Sequence, residues 1–179
     1  MRTWRRSTPS RGRNSLSEPW LSGGLQDVNP AARAVLFSLE QIRLDIAKWT
    51  AGITTGQAWS APAGLAPVAF QVRHIAGSVD RLFTYAEGRQ LSDQQMAELR
   101  SESEPGEDLA AVVARMNAIL DRVSASIRVI DAASYGEPRG VGRKQLPTTV
   151  IGLLFHLAEH SQRHAGLAIA TAKVLRSIE

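Results

Sequence analysis

Apolar residues return at intervals of three and four along four long stretches of this chain. That spacing admits little besides amphipathic helices. In the first stretch the stripe is Ala32, Val35, Leu39, Ile42, Ile46, Trp49 and Ile53, with Arg33, Glu40, Arg43, Asp45 and Lys48 mostly off it. Asn29 and Pro30 stand ahead of it as cap and first-turn proline. The second stretch, from about Pro67 to Ala86, carries Val68, Val72, Ile75, Val79, Leu82 and Ala86, and Gly88 stops it. Pro105 and Gly106 break the chain before the third, which carries Leu109, Val112, Met116, Ile119, Val123, Ile127 and Ile130. The fourth runs from near Pro147 to about Leu175, and its apolar character predicts the most buried helix. Ser92 and Gln95 form a capping-box pattern ahead of a short helix through Met96 and Leu99. Residues 56–66 and 134–147 are rich in Gly and Pro and read as a link and a loop. Period-two alternation is scarce, so no sheet is expected. The fold class predicted is all-α: a four-helix bundle with a short extra helix between helices 2 and 3. Its connections are long enough for a crossover.

The chain has 179 residues, enough for one ordinary domain that buries a core without staples. Cysteine is absent, which excludes disulfides, thiolate metal sites and a cysteine nucleophile. No run reaches the roughly 18 apolar residues a membrane helix needs, so no membrane partner is expected. The net charge of +4 belongs to one end of the sequence. Arg2, Arg5, Arg6, Arg11 and Arg13 face a single acid, Glu18, within residues 1–20, and the remainder is balanced. A neutral body offers no basic stripe, so no nucleic-acid partner is expected. Residues 1–20 read as a disordered basic extension, and residues 21–179 as the domain. Arg5-Arg6 is followed by no apolar segment, so a secretory signal is not expected and the protein reads as cytoplasmic. Arginine outnumbers lysine by 18 to 3, which fits a GC-rich bacterial genome.

Three of the four histidines, His156, His160 and His164, climb one side of the fourth helix at four-residue intervals. Eight residues span about 12 Å of helix, too far for all three to share an ion. The core positions of this helix read Val150, Leu153, Leu157, His160, His164, Leu167, Thr171 and Val174, which places His160 and His164 inward and His156 on a flank. Two imidazoles in a seam need hydrogen-bond or metal partners. Spacing alone leaves open whether they bind metal or serve as polar core residues. His74, the fourth histidine, lies one position off the seam of the second helix, beside the small residues Gly77 and Ser78. It can face a metal or face solvent. His156-Leu157-Ala158-Glu159-His160 also matches H-x-x-E-H, the pattern of a protease family in which both histidines bind zinc and the glutamate is the base. Those proteases are built on mixed α/β domains, and Glu159 lies off the seam.

The stretch Phe70-Gln71-Val72-Arg73-His74-Ile75-Ala76-Gly77-Ser78-Val79-Asp80-Arg81-Leu82, with His160-Ser161-Gln162-Arg163-His164-Ala165-Gly166, resembles the DinB/YfiT-like superfamily of helical metalloproteins. The resemblance covers roughly residues 28–175. Where the family often has Gln after that glycine, this chain has Leu167. The resemblance implies His74, His160 and His164 as ligands of a divalent metal (Zn, Ni or Fe). His156, Glu159 and Arg163 are then candidates for the pocket wall or for contacts behind the ligands. Positions left for water and substrate are the mark of a catalytic site. Relatives include thiol-dependent S-transferases and a mycothiol-dependent isomerase. The implied function is a metal-dependent transferase or hydrolase acting on a small molecule, with a low-molecular-weight thiol as a candidate co-substrate and a homodimer as the expected assembly. Two alternatives stand beside it: a non-catalytic, stress-related metal-binding protein, and a dimeric helical bundle with structural core histidines.

Overall fold

A computed structural model describes residues 18–21 and 23–178. The disorder expected of the basic extension falls almost wholly on residues 1–17, outside the described residues. The fold is mostly helical: α1 (Pro30–Thr50), a short α2 (Thr55–Ala58), α3 (Val68–Ala86), α4 (Asp93–Arg100), α5 (Leu109–Arg128) and α6 (Val150–Ser177). The helix boundaries follow local chemistry. Asn29 Oδ1 accepts from the Ala31 amide, and Pro30 opens α1. Ser92 and Gln95 close the expected capping box at the start of α4. Asp108 caps α5 by accepting from the amides of Ala110 and Ala111.

The four long helices share one core. α3 packs on α6 and α5, and α1 packs on the same two from the other side. Ile42, Ile46, Val72, Ile75, Val79, Phe83, Met116, Leu120, Val123, Leu154 and Leu157 fill the space between them. α4 lies on the outer side of α3, where Gln95 Nε2 donates to Asp80 Oδ2 at 2.5 Å and to Thr84 Oγ1 at 2.8 Å.

Two expectations are corrected. Residues 134–147 are not plain loop: a 3-10 turn (Ala132–Gly136) leads into an antiparallel hairpin, β1 (Pro138–Val141) with β2 (Leu146–Thr149). Its prolines and glycines hide it from a pattern search, and both strands lie at an edge, where proline is tolerated. Arg139 of β1 donates from Nε to the Ala86 carbonyl at 2.8 Å, satisfying an orphan acceptor at the end of α3. α6 accordingly starts at Val150, after Thr149 as its cap, and not at Pro147.

The second correction concerns the seam of α6. Its buried residues are Val150, Leu153, Leu154, Leu157, Ser161, Ala165, Ala168, Thr171, Ala172 and Leu175. Leu167 is 43% exposed. His160 and His164 are therefore not core positions, and each sits one residue to the side of the seam. Sequence patterning favours large aliphatics when it locates a seam. Here Ser161, Ala165, Ala168 and Ala172 carry it, because α6 is gripped closely by both α1 and α3.

Candidate metal centre

The one-residue offset brings the imidazoles to the groove between α6 and α3 instead of into the core. His74 comes from α3, and His160 and His164 from successive turns of α6. All three are half-buried, and their donor nitrogens lie within 4.8 Å of one another. His74 Nε2 is 3.0 Å from His160 Nε2. Ring centroids are 4.2 Å apart for His74 and His164, and 4.5 Å for His160 and His164. Nitrogens bound to one tetrahedral ion at 2.0–2.1 Å stand roughly 3.3 Å apart. The cluster is thus within a few tenths of an ångström to about 1.5 Å of that spacing.

The far side of two rings decides which nitrogen each one offers. His74 Nδ1 donates to Glu102 Oε2 at 2.7 Å. His164 Nδ1 donates to Gln71 Oε1 at 2.6 Å. A carboxylate and an amide oxygen only accept, so each Nδ1 carries the proton, and in the neutral ring each Nε2 keeps its lone pair. Ser78 Oγ, one turn on from His74, lies 3.2 Å from His74 Nε2. Phe70 stacks against the His74 ring with centroids 5.7 Å apart and forms an apolar wall.

The electrostatics disfavour the protonated forms of His160 and His164. Burial, reinforced by the neighbouring His74, pushes His160 below its ordinary value. The same causes, burial first, push His164 from 6.5 to about 4. Burial raises the Glu102 carboxyl, but the hydrogen bonds and charges of His74 and Arg81 outweigh it, and Glu102 ends below the usual carboxylate value. A dependence of stability on pH follows. Above pH 6.5 His164 is neutral in both folded and unfolded chains. Between 6.5 and about 4 the unfolded chain binds a proton that the folded chain refuses, so stability falls on acidification. His160 acts in the same direction, and Glu102 adds a loss below 4.5 as it protonates. The urea midpoint of metal-free protein is expected to drop between pH 7 and pH 5; a flat midpoint would contradict neutral buried imidazoles.

His156 stands apart. Its Nδ1 is 2.6 Å from Glu159 Oε1, and Glu159 Oε2 accepts from Arg163 Nη2 at 2.6 Å. This exposed chain runs along the outer face of α6 beside His160, whose ring centroid is 5.3 Å from that of His156. The protease pattern needs His156 and His160 to converge with Glu159 available as a base. The cluster instead pairs His160 with His74 and His164, and Glu159 is held between His156 and Arg163.

Sequence reasoning missed Glu102 and the part played by Gln71. Gln71 lies three residues before His74, on the same face of α3, and helical spacing could have found it. Glu102 lies beyond α4 in a polar stretch, and nothing local marks it. A cavity of about 320 Å³ lies on the other side of Glu102, among Arg73, Gly77, Arg81, Arg115 and Ile119. None of the three histidines lines it, so it is separate from the cluster.

Long helices packed around one core, with three imidazoles converging from two of them, define a mostly helical protein with a histidine cluster that could hold a metal ion. Residues 38–168, more than two thirds of the chain, match the family model of the DinB superfamily, and the chain belongs to that superfamily. No curated protein matches it. Among the described residues, no helix is long and apolar enough to cross a membrane.

Proposed function

We propose that His74, His160 and His164 hold one divalent ion through their Nε2 atoms, and that this member of the DinB superfamily is a metal-dependent enzyme acting on a small molecule. The observation that carries the reading is the pair of acceptor oxygens, Glu102 Oε2 and Gln71 Oε1, behind two of the rings. With Nδ1 so engaged, His74 and His164 each have Nε2 left to offer, and His74 Nε2 lies 3.0 Å from His160 Nε2. Metal-bound histidines almost always carry such an acceptor on the ring nitrogen that faces away from the ion. The four long helices are read as a four-helix bundle whose connections are long enough to allow a crossover.

An ion held by these three neutral imidazoles would keep its full formal charge and would supply the Lewis acidity that makes a water or thiol more acidic. Imidazoles suit Zn, Ni and Fe alike. Around them Phe70 provides an apolar contact for substrate, and the buried Ser78 a hydroxyl beside His74 Nε2. His156, with Glu159 at its back, offers a proton-carrying group on the outer rim. With no cysteine in the chain, an S-transferase reaction here takes its thiol from outside. Hydrolysis is the other arm of the reading. We also read the protein as a homodimer, an expectation from the sequence that light scattering checks.

The test is a conjugation screen in which metal-loaded and chelator-stripped protein meet electrophiles with and without low-molecular-weight thiols, alongside ester and amide substrates. Turnover that needs both metal and thiol is the expected result. Turnover that needs metal alone selects hydrolysis, and no metal-dependent turnover on any substrate contradicts an enzyme of either kind.

A further inference from the structure

Four residues of α3 are given over to one short segment outside the long helices. Arg73 Nη1 donates to three carbonyls of the segment after α4: Ser101 at 3.2 Å, Glu102 at 3.1 Å and Glu104 at 2.6 Å. Its Nη2 reaches Glu107 Oε2 at 3.0 Å. The guanidinium also lies 4.4 Å over the Trp59 ring, which fixes it from the other side. Arg81, itself buried, donates from Nη2 to Glu102 Oε1 at 2.7 Å. Gly77 lies between them on the same face. A Cβ there would meet Arg81 Nη1 at 2.5 Å and Glu102 Oε1 at 2.7 Å, so any side chain at 77 would displace the ion pair. His74 completes the set by donating to Glu102 Oε2.

Glu102 is 6% exposed and divides its two oxygens between Arg81 and His74. Carboxylates that neutralise an arginine frequently pair with it through both oxygens, the stronger geometry. Splitting the oxygens gives up that fork and gains a fixed, charged acceptor on the imidazole. The partner behind His164 is a neutral amide, so the two rings are supported unequally. A carboxylate raises the donor strength of the ring it holds more than an amide does.

We infer that Glu102 is a positioning residue for the metal centre, delivered by the 101–107 segment and clamped by Arg73 and Arg81, and that metal binding and docking of this segment are coupled. The inference rests on the proposed metal site. Glu102 sets the ring plane and tautomer of His74 and strengthens its Nε2 as a ligand. By thermodynamic reciprocity, whatever Glu102 adds to metal affinity, the metal adds to the docking of residues 101–107.

The experiment compares the full chain with Glu102→Gln, which keeps the volume and an acceptor oxygen and removes the charge. Zn(II) affinity is measured by competition with a chromophoric chelator, the visible spectrum is recorded with Co(II), and amide exchange is followed over 101–107 with and without Zn(II). The expected result is a 10- to 100-fold weaker affinity, an altered Co(II) band, and Zn(II)-induced protection of 101–107 in the parent that shrinks in the variant. Equal affinities and identical Co(II) spectra overturn the inference, even if the variant melts lower, since that pattern is a structural role alone. If Glu102→Gln does not fold, Arg81→Lys takes its place: weaker Zn(II) binding with an altered Co(II) band is again expected, and unchanged affinity and spectrum again overturn the inference. Failure of the parent chain itself to bind Zn(II) or Co(II) overturns the metal site on which the inference rests.

Discussion

Single substitutions His74→Ala, His160→Ala and His164→Ala are each expected to weaken binding of a divalent ion by three orders of magnitude or more, whereas His156→Ala leaves it within a few fold. Structural zinc binding is worth about 10–16 kcal/mol in small domains, so one of three ligands accounts for several kcal/mol, and each 1.4 kcal/mol is a factor of ten. The contrast arises from the geometry of α6. His160 and His164 turn into the groove toward His74, while His156 is turned outward onto Glu159. The protease pattern makes the reverse forecast, with His156 and His160 essential and His74 and His164 dispensable. Metal titration of the four variants side by side separates the two. Loss of activity in His156→Ala with metal retained fits its place on the rim.

Phe83→Ala carries the largest expected effect on stability. Phe83 is 2% exposed and is the bulkiest of the fully buried side chains. It sits near the end of α3, in the core shared with the other long helices. Truncation removes its transfer energy and leaves a cavity, together costing about 3–5 kcal/mol. For a chain of this size that lowers the melting temperature by roughly 6–20 °C. Thermal unfolding followed by circular dichroism checks it; a change of only a degree or two would contradict the packing around this residue.

The long helices are visible in the sequence because their stripes are strong and their caps are chemically explicit. Asn29-Pro30 and Ser92 with Gln95 start helices where the residue types say they should. Hidden features share one cause: small or polar residues doing structural duty. The α6 seam of serine and alanines reads as surface, so Leu167 and His160 look like better core residues than Ser161 and Ala165. The hairpin at 138–149 is built from residues that usually break strands. In α3 the polar face through Gln71, His74, Ser78 and Arg81 is readable as a face. What it faces is not, because Glu102 arrives from 28 residues away in a segment with no apolar pattern of its own. The histidine set is legible through spacing combined with the family motifs. The misplaced seam does not spoil it, since an error of one position moves the rings from the core to its rim without separating them from His74.

The most direct test of the three-histidine centre is the metal content of the unmodified chain. Protein purified without chelators, or metal-stripped and dialysed against trace Zn(II), Ni(II) or Fe(II), is submitted to elemental analysis with accurate protein quantitation. The geometry at His74, His160 and His164 predicts one divalent ion per chain, retained through gel filtration and released on acidification as the imidazoles take up protons. An intact, folded chain that carries no stoichiometric ion under any of these conditions would contradict the account and leave the three imidazoles as a hydrogen-bonded polar cluster between α3 and α6.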